Sequence, residues 1–185
     1  MNQQHKVRVS KFLSRILRHA PEELGLTLET GGWVLIHDLL HACSVAGMNI
    51  TTAELDEVVQ TCQKQRFAFD EGHTKIRANQ GHSAEVDLQL EQAKPLGGLF
   101  HGTATRNLES ILRDGLSKMT RHHVHLSEDV STALKVGGRH GKPVVLEVDA
   151  SRMVADGHVF FLSANGVWLV DTVPPHYLRV MTLEN

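Results

Sequence analysis

The sequence predicts an α+β protein of two parts, and three observations support that class. Amphipathic helix patterns occupy most of about the first 60 residues and give way to a β-hairpin signature at 66–78. The second half alternates short apolar strands with two modest helices, without the regular repetition of a parallel sheet. Between them, Gly81 and Pro95-Leu-Gly-Gly98 break both patterns. We therefore predict a boundary between residues 94 and 95, giving parts 1–94 and 95–185.

The first predicted helix, Lys6 to Ala20, carries two stripes of different chemistry. Its apolar stripe consists of Val9, Phe12, Leu13, Ile16 and Leu17. Its basic stripe consists of Arg8, Lys11, Arg15 and Arg18, which fall within an arc of roughly 80°. No acid precedes Glu22, and His19 lies at the edge of the basic stripe. A basic face without acids favours anion binding, and a solvated helix face is the alternative.

The rest of the first part predicts two further helices followed by a hairpin. A Gly31-Gly32 turn precedes a helix expected at 36–46, and Thr51-Thr-Ala-Glu54 is a capping box that opens another. Residues 66–69 and 74–78 then flank a turn, as the two strands of a hairpin do. This order resembles a winged helix, an analogy that by itself implies no ligand.

The second part is predicted to be rich in strands. Strands are expected at 99–101, 124–127, 144–148, 159–162, 167–170 and 178–181. One helix should carry Leu108, Ile111 and Leu112 and stop at Gly115, and another should begin at Glu128-Asp129. No Gly-x-Gly-x-x-Gly follows a strand and no P-loop is present, which argues against Rossmann and P-loop nucleotide-binding folds.

Composition narrows the class of protein. Of 185 residues, 41% are hydrophobic and 22% charged, which suffices for a folded core and argues against disorder. A net charge of −2 argues against a general nucleic-acid-binding coat but leaves room for a local basic site. The sequence lacks both an apolar run of about 18 to 20 residues and a signal-peptide pattern, so we expect a cytoplasmic protein without membrane spans. Two cysteines without a Cys-x-x-Cys pair give little support to a disulfide framework or a cysteine zinc site.

Three local clusters could carry chemistry. His101-Gly102-Thr103 offers an imidazole, an approachable backbone and a hydroxyl, which suits a ribose and its neighbouring amide. His125 and Ser127 lie two apart on one strand and share a face, with buried structural histidines as the alternative. Arg139 lies between glycine-bearing turns and could reach a phosphate, or could be a helix C-terminal cation. The neighbouring His122 and His123 do not complete a convincing zinc site.

The ordered set of motifs resembles one known family. Its members here are Leu17-Arg-His19, Arg77 with Gln80-Gly-His-Ser83, Phe100-His-Gly-Thr103, Val124-His-Leu-Ser127, Gly138-Arg-His-Gly-Lys-Pro143 and Asn165-Gly-Val-Trp-Leu169. Each motif alone is weak, but together, and in this order, they closely resemble the RNA 2′-phosphotransferase family. The resemblance implies an N-terminal winged-helix lobe and a C-terminal ADP-ribosyltransferase-like lobe with a strand-rich core, with the site in the cleft between them.

The same resemblance assigns roles to individual residues. The implied catalytic set is Arg18, His19, Arg77 and Arg139. The implied cofactor-binding set is His101, Gly102, Thr103, Gly115, His125 and Ser127. The core positions of the ADP-ribosyltransferase lobe correspond to His101, His125 and the hydrophobic Val167. An exposed strand cation remains the alternative interpretation of Arg77.

The resemblance also implies a reaction. Family members remove an internal RNA 2′-phosphate, consume NAD⁺ as co-substrate and need no metal. The 2′-phosphate attacks C1″ of the NAD⁺ ribose as nicotinamide leaves, and the 2″-hydroxyl then displaces the repaired RNA, giving ADP-ribose 1″,2″-cyclic phosphate. His19 is hypothesised to assist proton movement in the second step. We expect 2′-phosphorylated RNA as partner, tRNA included, and a monomer by default. The alternatives are an ADP-ribosyltransferase that caps terminal phosphates of nucleic acid and a non-catalytic winged-helix nucleic-acid binder.

Overall fold

The computed structural model describes residues 1–182, with the backbone alone at His140, and the chain divides into two compact units. They are Met1–Gln89 and Leu90–Asn185. The boundary therefore lies five residues before the predicted position between residues 94 and 95. The difference has a physical reason, since the backbone N–H of Ala93 donates to the carbonyl of Phe160 at 2.9 Å and ties this stretch to the second unit. Helices and strands occur together in both units, which confirms the α+β class.

The first unit combines three helices with a three-stranded sheet. The helices are α1 (Gln3–Arg18), α2 (Ile36–Val45) and α3 (Thr52–Gln60). The strands are β1 (Trp33–Leu35), β2 (Phe67–Phe69) and β3 (Lys75–Ala78), antiparallel in the order β1-β3-β2. A short 3₁₀ helix, Pro21–Leu24, follows α1. The predicted hairpin is confirmed as β2 and β3.

Local sequence explains how these helices begin and pack. Thr51 and Glu54 form the predicted capping box, in which each side chain accepts from the other residue's backbone N–H. The apolar stripe of α1 supplies Val9, Leu13, Ile16 and Leu17 to the core, and all four are buried. The first helix is therefore held by its apolar face, and its basic stripe is left on the outer side.

The second unit is built mainly from short antiparallel strands. They are β4 (Leu99–Ala104), β5 (Leu116–Ser117), β6 (Val124–Leu126), β7 (Pro143–Val148), β8 (Phe160–Leu162), β9 (Trp168–Val170), β10 (Thr172–Val173) and β11 (Leu178–Val180). Three helices accompany them: α4 (Leu108–Asp114), α5 (Val130–Gly137) and α6 (Ala150–Ala155). Short 3₁₀ turns occupy Thr105–Asn107, Gly138–His140 and Pro175–Tyr177.

Two three-stranded sheets organise this unit, in the orders β11-β7-β4 and β6-β9-β8, and β10 pairs with β5. The two larger sheets are joined where Phe100 and Ser127 exchange backbone hydrogen bonds of 2.8 and 2.9 Å. This bridge places the beginning of β4 beside the end of β6, so it aligns two of the sequence motifs. No helix among the described residues is long and apolar enough to cross a membrane.

Candidate functional site

The C-terminal end of α1 presents Arg18 and His19. The helix ends at Arg18, and the backbone carbonyl of Arg18 accepts hydrogen bonds from the backbone N–H groups of Ser83 and Ala84, both at 2.9 Å. Nδ1 of His19 lies 2.9 Å from Oγ of Ser83. A segment 64 residues further along the chain therefore fixes the imidazole and satisfies a helix-end carbonyl.

The same return segment lies against the Gly31-Gly32 turn. His82 is fully buried, and a Cβ at Gly32 would lie 3.4 Å from its Nε2. The guanidinium of Arg18 lies beside Gly81, where an added Cβ would be 3.7 Å from Nη1. Gly81 has φ +87°, a conformation that glycine adopts without steric cost. The Gly81-His-Ser sequence is thus shaped to pack closely around the end of α1.

Arg77 lies on the outer face of the sheet, between Trp33 and Ala68 in the strand register. Its guanidinium carbon is 4.6 Å from the Trp33 ring centroid, and Nη1 donates to the carbonyl of Gly31 at 3.5 Å. Burial lowers the pKa of Arg77, and its buried Nε has no hydrogen-bond partner within residues 1–182. Arg77 is half-buried, so it is not a solvated strand cation.

A shallow cavity of about 470 Å³ adjoins Arg77 on this face. Its lining consists of Trp33, Ala68, Phe69, Asp70, Glu71, Lys75 and Arg77. Lys75 forms an ion pair with Glu29 at its edge. The outer face of the first sheet therefore offers aromatic surface and a guanidinium side by side.

In the second unit, His101 and His125 are held against each other. Nδ1 of His101 lies 3.1 Å from the backbone carbonyl of His125. A carbonyl oxygen can only accept, so Nδ1 of His101 carries the proton and Nε2 is left as an acceptor. Burial lowers the pKa of His101, and the nearby positive charge of Arg121 lowers it further. His101 is therefore a neutral imidazole near neutral pH.

The guanidinium of Arg121 contacts the ring of His125. Its Nη1 lies 3.4 Å from Nδ1 of His125. Arginine only donates, so the neutral His125 ring accepts at Nδ1 and carries its proton on Nε2. Arg121 was not predicted as a site residue, although it stands four residues before His125. The available signal was a cation three residues before the Val124-His-Leu-Ser motif.

The structure gives a packing reason for glycine at position 102, in addition to the access for a ligand that its neighbours suggested. A Cβ at Gly102 would overlap the carbonyl oxygen of Ala133 in α5. A Cβ at Gly137 would come within 2.6 Å of the Thr103 carbonyl oxygen, so helix and strand approach closely at both glycines. The side of Gly102 on which a side chain would stand thus faces α5 and not open space. His101 and Thr103 share the opposite face of β4. Contact of Gly102 with a cofactor stays a prediction.

The remaining predicted residues lie in distinct settings. Arg139 is exposed on the 3₁₀ turn after α5, two residues beyond Gly137, and within the described chain it makes no hydrogen bond or ion pair. Gly115 ends α4 with φ +85°, and a Cβ there would collide with the carbonyl of Val173, which is a structural requirement.

Thr103 is buried, and its Oγ1 accepts from Nδ2 of Asn107 at 3.1 Å. Ser127 is half-buried at the bridge to β4. Val167 donates its backbone N–H to Oγ of the buried Ser163 at 3.0 Å, just before β9 begins. In the described part of the chain, no three His, Cys, Asp or Glu side chains group as metal ligands would.

The first unit also holds an arginine that sequence reasoning missed. Arg66 Nη1 lies 3.4 Å from Oγ of Ser10 on α1. Its own carbonyl accepts from the backbone N–H of Asn79 at 2.9 Å, next to the end of β3. Neither the Arg66–Ser10 contact nor the contact of Ser83 with His19 was predicted, because each joins residues more than 50 positions apart, which no local pattern reports.

Known proteins match this chain along nearly its whole length. The family model described as RNA 2'-phosphotransferase, Tpt1 / KptA family, matches residues 4–172.

The chain belongs to this RNA 2′-phosphotransferase family.

Curated relatives agree with the family match. A probable RNA 2′-phosphotransferase of Trichormus variabilis is 56% identical over 181 residues, covering 98% of this chain and 100% of the relative. Probable RNA 2′-phosphotransferases of Streptomyces coelicolor and Herpetosiphon aurantiacus are 56% and 54% identical, over 97% of this chain and 97% and 99% of their own. The resemblance drawn from the sequence motifs is confirmed. All the predicted site residues, from Arg18 to Val167, lie inside the range that the RNA 2′-phosphotransferase family model matches.

Proposed function

We propose that this protein is an NAD⁺-dependent RNA 2′-phosphotransferase that removes an internal 2′-phosphate from RNA in two steps. The observation that carries the proposal is the family match, which runs from residue 4 to residue 172 and so includes motifs of both compact units. The helix–sheet arrangement of the first unit supports a winged-helix lobe, and the strand-rich second unit supports an ADP-ribosyltransferase-like lobe. Cytoplasmic location, a monomeric state and a tRNA substrate stay predictions.

The first unit carries side chains that are suited to binding the RNA 2′-phosphate. Arg18 brings a guanidinium to the end of α1, and a planar fork matches two phosphate oxygens. Nδ1 of His19 lies within hydrogen-bond distance of Ser83, so an imidazole, which can donate or accept a proton, would stand beside the bound phosphate. Arg77 remains positively charged despite the lowered pKa, since arginine does not deprotonate in proteins. Its cavity with Trp33 suits an adjoining part of the RNA.

The second unit carries side chains that are suited to binding the riboside of NAD⁺. Nε2 of the neutral His101 is an acceptor for a ribose hydroxyl, because Nδ1 is committed to the carbonyl of His125. A charged imidazolium could not accept there, so the lowered pKa of His101 fits this role. Thr103 shares the face of His101, and Ser127 stands at the bridge that aligns β4 with β6. Arg121 supplies positive charge within reach of both histidines, and Arg139 stays a predicted phosphate contact.

NAD⁺ supplies the ribose carbon C1″ that accepts the RNA 2′-phosphate as nicotinamide leaves, and the 2″-hydroxyl that then displaces RNA. Nicotinamide leaves as a neutral molecule, so positioning matters more than acid catalysis in the first step. Negative charge on the non-bridging phosphate oxygens in the second step would be stabilised by arginine donors, with no metal required in the proposal. We assign to His19 the proton movement of that second step.

The test combines the protein with NAD⁺ and an oligonucleotide bearing one internal 2′-phosphate, without divalent metal. The expected products are RNA with a 2′-hydroxyl, nicotinamide and ADP-ribose 1″,2″-cyclic phosphate, identified by mass spectrometry. A matched oligonucleotide with only a 5′-phosphate serves as control. Stable ADP-ribosylation of that 5′ end without 2′-dephosphorylation would favour the terminal-capping transferase. Absence of nicotinamide release would favour the non-catalytic binder.

A further inference from the structure

The outer face of α1 carries a row of cations that the proposed chemistry only partly uses. This basic face consists of Arg8, Lys11, Arg15 and Arg18. The first three are exposed and Arg18 is half-buried. At 1.5 Å per residue the row extends roughly 15 Å along the helix axis, from Arg8 to Arg18.

Neutralisation of this row is incomplete. Arg15 pairs with Glu23 of the following 3₁₀ helix. Neither Arg8 nor Lys11 has an ion pair with any described residue. The contrast with Lys6 is informative, because Lys6 lies on another side of α1 and pairs with Glu57 of α3 at 2.7 Å. An acid of the first unit thus pairs with a cation on another side of the helix, while Arg8 and Lys11 have no ion pair with a described residue.

We propose that the basic face of α1 binds the phosphodiester backbone of the RNA strand that flanks the 2′-phosphate. This inference rests on the proposed function, since it takes Arg18 as the phosphate-binding end of the row. Continuity carries the argument: the same arc of the same helix leads from Arg18 through Arg15 and Lys11 to Arg8, at spacings of three and four residues. Contacts between such a row of cations and the phosphates position the RNA strand but do not distinguish its bases.

A membrane surface fits the same cations less well. An amphipathic helix binds a bilayer by burying its apolar face among the lipids. The apolar face of α1 is already buried in the core of the first unit, with Val9, Leu13 and Leu17 fully enclosed. A polynucleotide needs only the exposed cations, so it fits what this helix leaves accessible.

The test compares wild type with the double variant Arg8→Gln/Lys11→Gln on two RNA lengths. Binding is measured by fluorescence anisotropy with a 2′-phosphorylated dinucleotide and with a 12-nucleotide strand that carries the same junction, over a range of salt. We expect the variant to bind the long strand about tenfold more weakly at low salt, with a slope of log K against log [salt] shallower by about 1.4. Dinucleotide binding and turnover should stay unchanged.

A matched control removes one lysine and one arginine elsewhere. The double variant Lys94→Gln/Arg106→Gln changes exposed cations of the second unit and should leave the long-strand slope as in wild type. Equal slopes for the Arg8/Lys11 variant and wild type would overturn the inference, and so would an equal loss on both RNA lengths. Binding to anionic phosphatidylserine vesicles that depends on Arg8 and Lys11, with RNA binding unchanged, would overturn it in favour of a membrane.

This binding assay separates failure of the inference from failure of the proposed function. It contains no NAD⁺ and scores no chemistry, so a protein that fails to dephosphorylate RNA can still show or lack the expected slope difference. Unchanged slopes in an active enzyme would reject the basic face alone. Inactivity toward every 2′-phosphorylated RNA would reject the function alone.

Discussion

The end of α1 and the His101–His125 pair handle charge in opposite ways. At the helix end, a guanidinium is held by close packing beside Gly81 and the neighbouring imidazole is fixed by Ser83. At the histidine pair, burial and a nearby arginine keep an imidazole neutral, and a backbone carbonyl fixes its tautomer. The first arrangement suits an anion, and the second suits hydroxyl groups. In the function proposed here, the first unit binds the RNA phosphate and the second binds the riboside of NAD⁺, so each unit should respond to a different kind of substitution.

The largest effect on activity is expected at Arg18, where charge and fork geometry both matter. Arg18→Ala should lower the single-turnover rate on a 2′-phosphorylated oligonucleotide by roughly 10²- to 10³-fold, because a donor to developing charge is lost. Arg18→Lys keeps the charge but loses the two-pronged geometry, so its single-turnover rate should lie between those of wild type and Arg18→Ala. Thermal unfolding of both variants controls for loss of packing beside Gly81. A lysine variant as fast as wild type would contradict two-pronged binding.

The largest effect on stability is expected at Gly102, where the second unit depends on close packing. Gly102→Ala should lower the free energy of unfolding by about 3 kcal/mol, because the new Cβ overlaps the Ala133 carbonyl of α5. Gly138→Ala is the matched control, since Gly138 has φ −65° and a Cβ added there would meet no atom within 4 Å. The control should change stability by about 0.5 kcal/mol at most. Urea unfolding of both variants measures the difference, and equal stabilities would refute the close approach.

A smaller effect separates the two arginines of the second unit. Arg121→Gln should lower kcat/KM about tenfold more than Arg139→Gln, because Arg121 contacts His125 whereas the exposed Arg139 side chain makes no such contact with a described residue. Arg121→Gln should also raise the pKa of His101, since the charge of Arg121 helps to lower it. An NMR titration of the His101 ring reads this shift directly. A larger loss at Arg139 would contradict this ranking and would support the catalytic role that the family resemblance implies for Arg139.

The smallest effect is a pH dependence that belongs to His101. Its pKa is lowered below the ordinary 6.5, so the unfolded chain binds more protons between the folded and unfolded pKa values. The free energy of unfolding should therefore fall as the pH drops below about 6.5 and level off below the folded pKa. In His101→Asn the amide can still donate to the His125 carbonyl but does not titrate. The difference in unfolding free energy between wild type and this variant, measured by urea unfolding, should change as the pH falls below about 6.5 and become constant near neutral pH. A difference that persisted unchanged would contradict the lowered pKa.

Sequence periodicity was informative wherever the determining contacts are local. The two stripes of α1 follow from spacing alone, and the Thr51–Glu54 capping box is formed as predicted. The helix begins at Gln3, three residues earlier than expected, where Asn2 caps it by accepting from the His5 backbone. Helix starts of this kind depend on a single side chain and are weakly marked by periodicity.

Sequence reasoning was less successful where one residue has two explanations. Gly102 is predicted from sequence to offer a backbone that a ligand can approach, which stays a prediction, and the structure gives a second reason for the glycine, since its missing side chain makes room for α5. Arg77 could have been a solvated cation, and instead it stacks on Trp33. In both positions the local sequence is compatible with either setting, because the deciding partner comes from another element of the fold.

The sequence by itself determined the α+β class, the apolar and basic faces of α1, the hairpin and the ordered motifs that mark the family. Each of these depends on residues a few positions apart, where backbone geometry fixes which side chains share a face. Only the tertiary structure decided that Ser83 holds His19, that the His125 carbonyl fixes the tautomer of His101, and that Arg121 stands beside them. Those contacts arise when buried apolar faces bring distant segments together, and spacing along the chain carries no record of the resulting distances.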